Sequence, residues 1–232
     1  MGYLDFDPDE ETEHSPMPSL VNLSLSSGRQ GSVIERGFLT PAILPSLRLV
    51  HADNLRLDDG FTLTSPTTAY AAPLHHISLP GPVPLLPLLL AAPQLRSLDH
   101  WVQQRIEIPA SCHFASPLIA IRLNFRWSLG MEDAVLDFLD DALAANLIDT
   151  KTVLFLPWFE ETDPIAGIAK YWCASRGGLS IEWKGGALET SWRKQDLTFE
   201  HYRRFTAWVD ARAVERDAVV VAKIEQEDGN VE

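Results

Sequence analysis

Five residues in the middle of the chain carry side chains suited to metal or proton chemistry: His75, His76, His100, Cys112 and His113. Imidazole nitrogens and a thiolate suit a borderline cation such as zinc, but structural zinc sites draw their ligands in short, regularly spaced pairs. This set matches no such spacing, so no metal site is expected, and His100 is expected to fill a core position with its hydrogen bond satisfied. No glycine-rich phosphate loop, HExxH or Ser-His-Asp order appears. Asp137, Asp140 and Asp141 are expected to form a solvated helix face. Asn22-Leu23-Ser24 fits a glycosylation sequon, but the N-terminus has no apolar signal segment to carry it outward. The expectation is a non-enzymatic protein without cofactor. Two alternatives stay open: an enzyme on an α/β sheet with a site near Asp99 or Cys112, and a degenerate repeat protein with no selected function.

The chemistry that remains is recognition. A tryptophan beside arginines is the composition of a protein-binding hot spot, and Asp99, Trp101, Arg122, Asn124 and Arg126 fall at matching offsets in two similar segments. The competing reading is that Asp99 and Arg122 pair across strands and Trp101 packs under a loop.

What must position these residues is a recurring phrase. Ala92-Pro93-Gln94-Leu95-Arg96-Ser97-Leu98 has the form Pro-x-Leu-x-x-Leu, and L-x-x-L-x-L matches start at Leu20, Leu44, Leu74 and Leu118, with a near match at Leu95. The steps are 24, 30, 21 and 23 residues, in or at the edge of the range of leucine-rich repeats. The fold expected is α/β: an irregular leucine-rich-repeat solenoid with parallel strands on the concave face and short helices or loops on the convex face. A strand's period of two turns the leucines inward and the residues between them onto the concave face. The candidate binding residues there are Asn22, Ser24, Arg48, His76, Ser78, Asp99, Trp101, Arg122, Asn124 and Arg126.

Other elements follow from periodicity. Pro84 to Ala92 is expected to be a short linking helix, and residues 131–146 a helix with Val135, Leu136, Leu139, Ala142 and Leu143 on its apolar face. Strands are expected at Thr152–Leu156 and Leu179–Trp183, with a helix over Ile165–Ser175 between them. A last helix, about Thr198 to Val214, carries Phe199, Tyr202, Phe205, Val209 and Ala213 on one side and is expected to close the open end of the stack. The organisation is then an acidic lead-in at 1–16, a repeat domain at 17–184, a capping turn and helix at 185–214, and an acidic tail at 215–232.

The net charge is −13 over 232 residues, but most of the excess acid lies in the two ends. A nearly neutral body with acidic tails lacks the basic face that nucleic acids and anionic membranes require, so neither partner is expected. The most apolar run, Val83 to Ala92, is too short and proline-rich to span a membrane. Two cysteines, Cys112 and Cys173, build no disulfide framework. A cytoplasmic or nuclear protein is expected.

Leu74-His75-His76-Ile77-Ser78-Leu79 after Ala72-Pro73, the leucine-rich helix, and Ala92-Pro93-Gln94-Leu95 together resemble the leucine-rich-repeat region of F-box-like proteins from mushroom-forming fungi. Ile168-Ala169-Lys170-Tyr171-Trp172-Cys173-Ala174-Ser175-Arg176-Gly177-Gly178-Leu179-Ser180-Ile181-Glu182-Trp183 is similar to their closing repeat. The resemblance covers roughly residues 17–184. It implies a binding scaffold for an unidentified protein partner and substrate recognition within a ubiquitin-ligase assembly. Such proteins often carry an N-terminal F-box that docks on a Skp-type adaptor; residues 1–16 are expected to be too short for one.

Overall fold

The structure is a computed structural model that describes residues 16–26, 33–34, 44–53, 56–57, 74–79, 86, 89–90, 92–102, 107–125, 131–160, 164–175, 180–184 and 199–228. It is α/β. The strands are β1 (Asn22–Ser26), β2 (Val33–Ile34), β3 (Leu49–Asp53), β4 (Arg56–Leu57), β5 (His76–Leu79), β6 (Ser97–Val102), β7 (Ala120–Phe125), β8 (Val153–Glu160) and β9 (Ser180–Lys184); the helices are α1 (Met131–Ala144), α2 (Pro164–Ser175) and α3 (Phe199–Asp228). One open sheet runs β1-β3-β5-β6-β7-β8-β9, every pairing parallel, and β2 pairs with β4 beside it. Strand order therefore follows chain order without reversal. A doubly wound sheet would turn back at a switch point, where such sheets bind their ligands.

Three of the units enter the sheet by the same device. Leu20, Leu47 and Leu95 each donate a backbone hydrogen bond to the residue three before, Met17, Leu44 and Ala92. Pro18, Pro45 and Pro93 stand second in these turns, where the fixed φ of proline is already the one the turn needs. Next comes a position whose carbonyl accepts two N–H groups from the following unit: Val21 from Arg48 and Leu49, Arg48 from His75 and His76, His75 from Arg96 and Ser97, Arg96 from Ile119 and Ala120.

This ladder corrects the register expected for the second unit. The sequence offers two overlapping patterns there, one beginning at Leu44 and one at Leu47. Leu49 pairs with His76 and Val50 with Ile77, so the frame begins at Leu47 with Pro45 in its turn. The register partners Asn22, Leu49, His76, Ser97, Ala120, Val153 and Ser180 are 27, 27, 21, 23, 33 and 27 residues apart. Arg48 accordingly stands before its strand, in line with His75 and Arg96, and not between Ser24 and Ser78 as expected.

The main core lies on one side of the sheet. Leu47, Val50, Leu74, Ile77, Leu95, Leu98, Leu118, Ile121, Leu123, Leu154 and Leu156 pack there against Val135, Phe138, Leu139 and Ala142 of α1 and Trp172 and Cys173 of α2. Helix α1 ends in a left-handed Asn146 (φ 59°), with Leu147 N–H bonded to Ala142 C=O at 2.8 Å and Asn146 N–H to Leu143 C=O at 3.1 Å. That is a Schellman cap, one of the few places where an asparagine tolerates positive φ. Asp140 and Asp141 are half-buried rather than solvated: Asp140 accepts from Trp172 Nε1 at 3.1 Å and Asp141 from Ile108 N–H at 3.4 Å. Of the expected helix Pro84 to Ala92, Leu86, Leu89 and Leu90 are described and helical.

Helix α3 departs furthest from expectation. It does not close an end of the stack. Tyr202, Phe205, Val209 and Ala213 form a second core with Leu49, Ile119, Ala120, Val153 and Phe155, on the opposite face of the sheet. Its early turns meet His51, with ring centroids 5.1 Å from Tyr202, and its later turns meet His76 and Arg96 through Asp210. It thus runs antiparallel to the strands and covers the face expected to lie open. Parallel sheets are generally buried on both faces, and here the apolar stripe of α3 supplies the second cover. The helix also continues through the segment expected to be an acidic tail, as far as Asp228: residues 214–228 contain no proline or glycine. Among the described residues no helix is long and apolar enough to cross a membrane.

Candidate functional site

The alternation of the strands puts His51, Ser78, Asp99, Arg122 and Phe155 in one row across the sheet and Leu49, His76, Ser97, Ala120 and Val153 in the row before it. Under α3 these rows are buried, Arg122 to 1%, Asp99 to 5% and Ser97 to 0% exposure. Several of their polar groups pair laterally, while His51 Nδ1 and His76 Nε2 have no hydrogen-bond partner among the described residues. Arg122 Nη1 donates to Asp99 Oδ1 at 2.8 Å, Ser78 Oγ donates to Asp99 Oδ2 at 2.8 Å, and His76 Nδ1 lies 2.9 Å from Ser97 Oγ. A buried guanidinium is tolerable only with such a partner. The Tyr202 hydroxyl closes over this row without a hydrogen bond of normal geometry. Burial, then the Asp99 charge, push its ionisation well above the usual tyrosine value.

Of the candidate binding residues, His76, Ser78, Asp99 and Arg122 are therefore brought together but covered. The expectation that they face a partner directly is corrected for this state, and the pairing of Asp99 with Arg122 is what their positions realise. Asn22, Ser24 and Arg48 are exposed, at the β1 end of the sheet. Trp101 and Asn124 are register partners; their side chains, and Arg126 as a whole, lie outside the described residues. His100 takes an inward slot and is buried to 3% exposure. Cys112 packs at the margin of the main core, and neither Cys112 nor Cys173 is in a disulfide. His113 is exposed.

A different cluster forms where the later turns of α3 meet the leading ends of β5 and β6. Asp210 Oδ1 accepts from Arg96 Nη1 at 2.7 Å, and Asp210 Oδ2 lies 3.3 Å from His76 Nε2. His75 stands edge-on to His76, ring centroids 6.0 Å apart. Burial opposes the Asp210 charge, yet His76 and Arg96 outweigh it and hold the carboxyl down to about 2. Burial, then Arg96, keep His75 below the ordinary histidine value. The cluster borders a cleft of about 570 Å³ lined by His75, Gln94, Arg96, Ser116, Arg216 and Asp217 among others. On its far side Arg216 pairs with Asp149. The cleft sits at the amino ends of the strands, whereas open α/β sheets place ligands at the carboxyl ends.

Ser97, His76 and Asp210 thus stand in series, the composition of an acyl-transfer triad, though His76 Nε2 makes no hydrogen bond to Asp210. Ser97 is wholly buried between sheet and helix, so no carbonyl can reach its Oγ in this arrangement. Asp210 escaped the sequence reading because an end-capping helix would have given it nothing to face. The signal available was its place beside Val209 on the apolar flank of a helix, opposite a sheet face carrying histidine and arginine.

Comparison of the chain with family models, with curated proteins and with solved structures gives no match at all.

Proposed function

We propose that this chain is a protein–protein interaction module of the leucine-rich-repeat type, without catalytic activity of its own. The observation that carries the reading is the chain-order parallel ladder, in which Met17-Pro18-Ser19-Leu20, Leu44-Pro45-Ser46-Leu47 and Ala92-Pro93-Gln94-Leu95 make the same turn before β1, β3 and β6. A unit that buries its apolar side only against its neighbours is the physical basis of a solenoid. The burial of Ser97 favours this reading over an enzyme. With α3 over the middle of the strand face, a surface left for a partner among the described residues is the β1 end, where Asn22, Ser24 and Arg48 are exposed and Val21 is 41% exposed. Substrate recognition for a ubiquitin ligase is the narrower proposal, and it follows the resemblance alone.

The test compares proteins captured by the wild type with those captured by an Asn22→Arg/Ser24→Arg variant of equal thermal stability. A partner lost with the variant supports the reading and locates the surface. Identical capture by both refutes the assignment of the β1 end. Direct titration with a Skp-type adaptor tests the narrower role, which falls if no complex forms at micromolar concentration.

A further inference from the structure

We propose that His75, His76 and Asp210 form a binding site for a divalent metal of the zinc class, joining α3 to the leading edge of the sheet. The site is independent of the interaction reading.

Three observations converge. First, one ligand atom from each of the three residues lies within 4.8 Å of the others. Second, His76 is buried to 3% exposure, and its Nε2 has no hydrogen-bond partner. Its other nitrogen, Nδ1, lies 2.9 Å from Ser97 Oγ; an Nδ1–H donated there leaves a lone pair on Nε2, the tautomer a metal-binding imidazole uses. Third, that nitrogen is 3.3 Å from Asp210 Oδ2 and out of line for a hydrogen bond. In that tautomer the two face each other as acceptors, and a cation between them relieves the repulsion. A tetrahedral ion with bonds of about 2.0–2.1 Å holds its ligand atoms about 3.3 Å apart, which is the separation found for this pair.

The surroundings fit. Arg96 occupies only Asp210 Oδ1, at 2.7 Å, so it can orient the carboxylate while Oδ2 binds, as outer partners of metal-bound carboxylates do. Its positive charge opposes a cation and sets the affinity below that of closed structural zinc sites. His75 borders the 570 Å³ cleft, so a fourth position is open to water or to a donor from outside. Two imidazoles and one carboxylate suit zinc or cobalt rather than magnesium or calcium, which prefer all-oxygen sets.

The experiment is a titration of the full chain with Co²⁺, read by visible absorption, and with Zn²⁺, read by calorimetry and thermal melting. The expected result is one equivalent bound, four-coordinate cobalt bands, and a melting temperature that rises with metal concentration. His75→Ala and Asp210→Asn should each weaken binding at least about 10-fold, while an exposed-histidine control, His113→Ala, binds as the wild type does. His75 makes no ion pair among the described residues, so its variant separates lost coordination from lost folding. Absence of one-equivalent binding overturns the proposal. So does binding that survives both ligand variants, or that is lost with His113.

Discussion

His100 occupies a slot that neighbouring strands fill with leucine, and this makes stability depend on pH in a definite direction. It is the register partner of Leu79 and Leu123, is buried to 3% exposure, and has its ionisation pushed down to about 4, by burial first and against the opposing pull of Asp99. In the unfolded chain the same group titrates near 6.5. Between these values the unfolded state takes up a proton that the folded state refuses. The contribution of neutral His100 is fully present above about pH 6.5 and is lost as pH falls toward 4. A gap of about 2.5 units corresponds to roughly 3 kcal/mol over the whole window. The perturbation is His100→Leu, which restores the apolar pattern at similar volume and removes the titration. Urea denaturation of both proteins would be measured at about pH 7.5 and about pH 4.5. Relative to the variant, the wild type should lose roughly 2–3 kcal/mol across that interval. The difference between the proteins isolates His100 from the other six histidines and the carboxylates, which both share. Parallel profiles, agreeing within about 0.5 kcal/mol, would refute the reasoning.

The Asp99–Arg122 pair is buried and couples two strands, so Asp99→Leu or Arg122→Met alone should each cost about 3–5 kcal/mol by stranding a charge. The double variant should be more stable than either single one in a denaturation cycle, and simple additivity would contradict the pairing. Phe205 is wholly buried and meets the Phe155 ring edge-on at 5.4 Å. Phe205→Ala should lower the unfolding free energy by about 3–5 kcal/mol, whereas an exposed position on the same helix, Arg204→Ala, should change it by less than about 1 kcal/mol.

The parallel strands, their inward leucines and helices α1 and α2 were legible because each obeys one period, two for a strand and 3.6 for a helix, over an unbroken run. The second unit was misframed because Leu44, Leu47, Leu49 and Val50 satisfy two patterns at once. The turn proline decides between them, and Pro45 stands in relation to Leu47 as Pro18 does to Leu20 and Pro93 to Leu95. The candidate face was read as open because its rows hold Ser78, Ser97, Asp99 and Arg122, residue types that usually meet water. Their burial depends on lateral partners across strands, which a one-dimensional pattern does not display. The His75, His76 and Asp210 cluster joins segments more than a hundred residues apart, and no local spacing could announce it.

The reach of α3 has a consequence for how the molecule comes into being. Each strand of the sheet pairs with the strand that precedes it, so the sheet can grow as the chain leaves the ribosome, amino end first. The contact between Arg96 and Asp210 spans 114 residues, and the second core cannot form before Tyr202 and Phe205 have been made. Throughout that interval the nascent sheet presents Leu49, Ile119, Val153 and Phe155 beside a row of histidines and an ion pair, all waiting for the last helix to be translated. A ribosome paused after β9 would therefore hold a sheet with one face wet. The contacts of that face are the slow, long-range ones in the folding reaction.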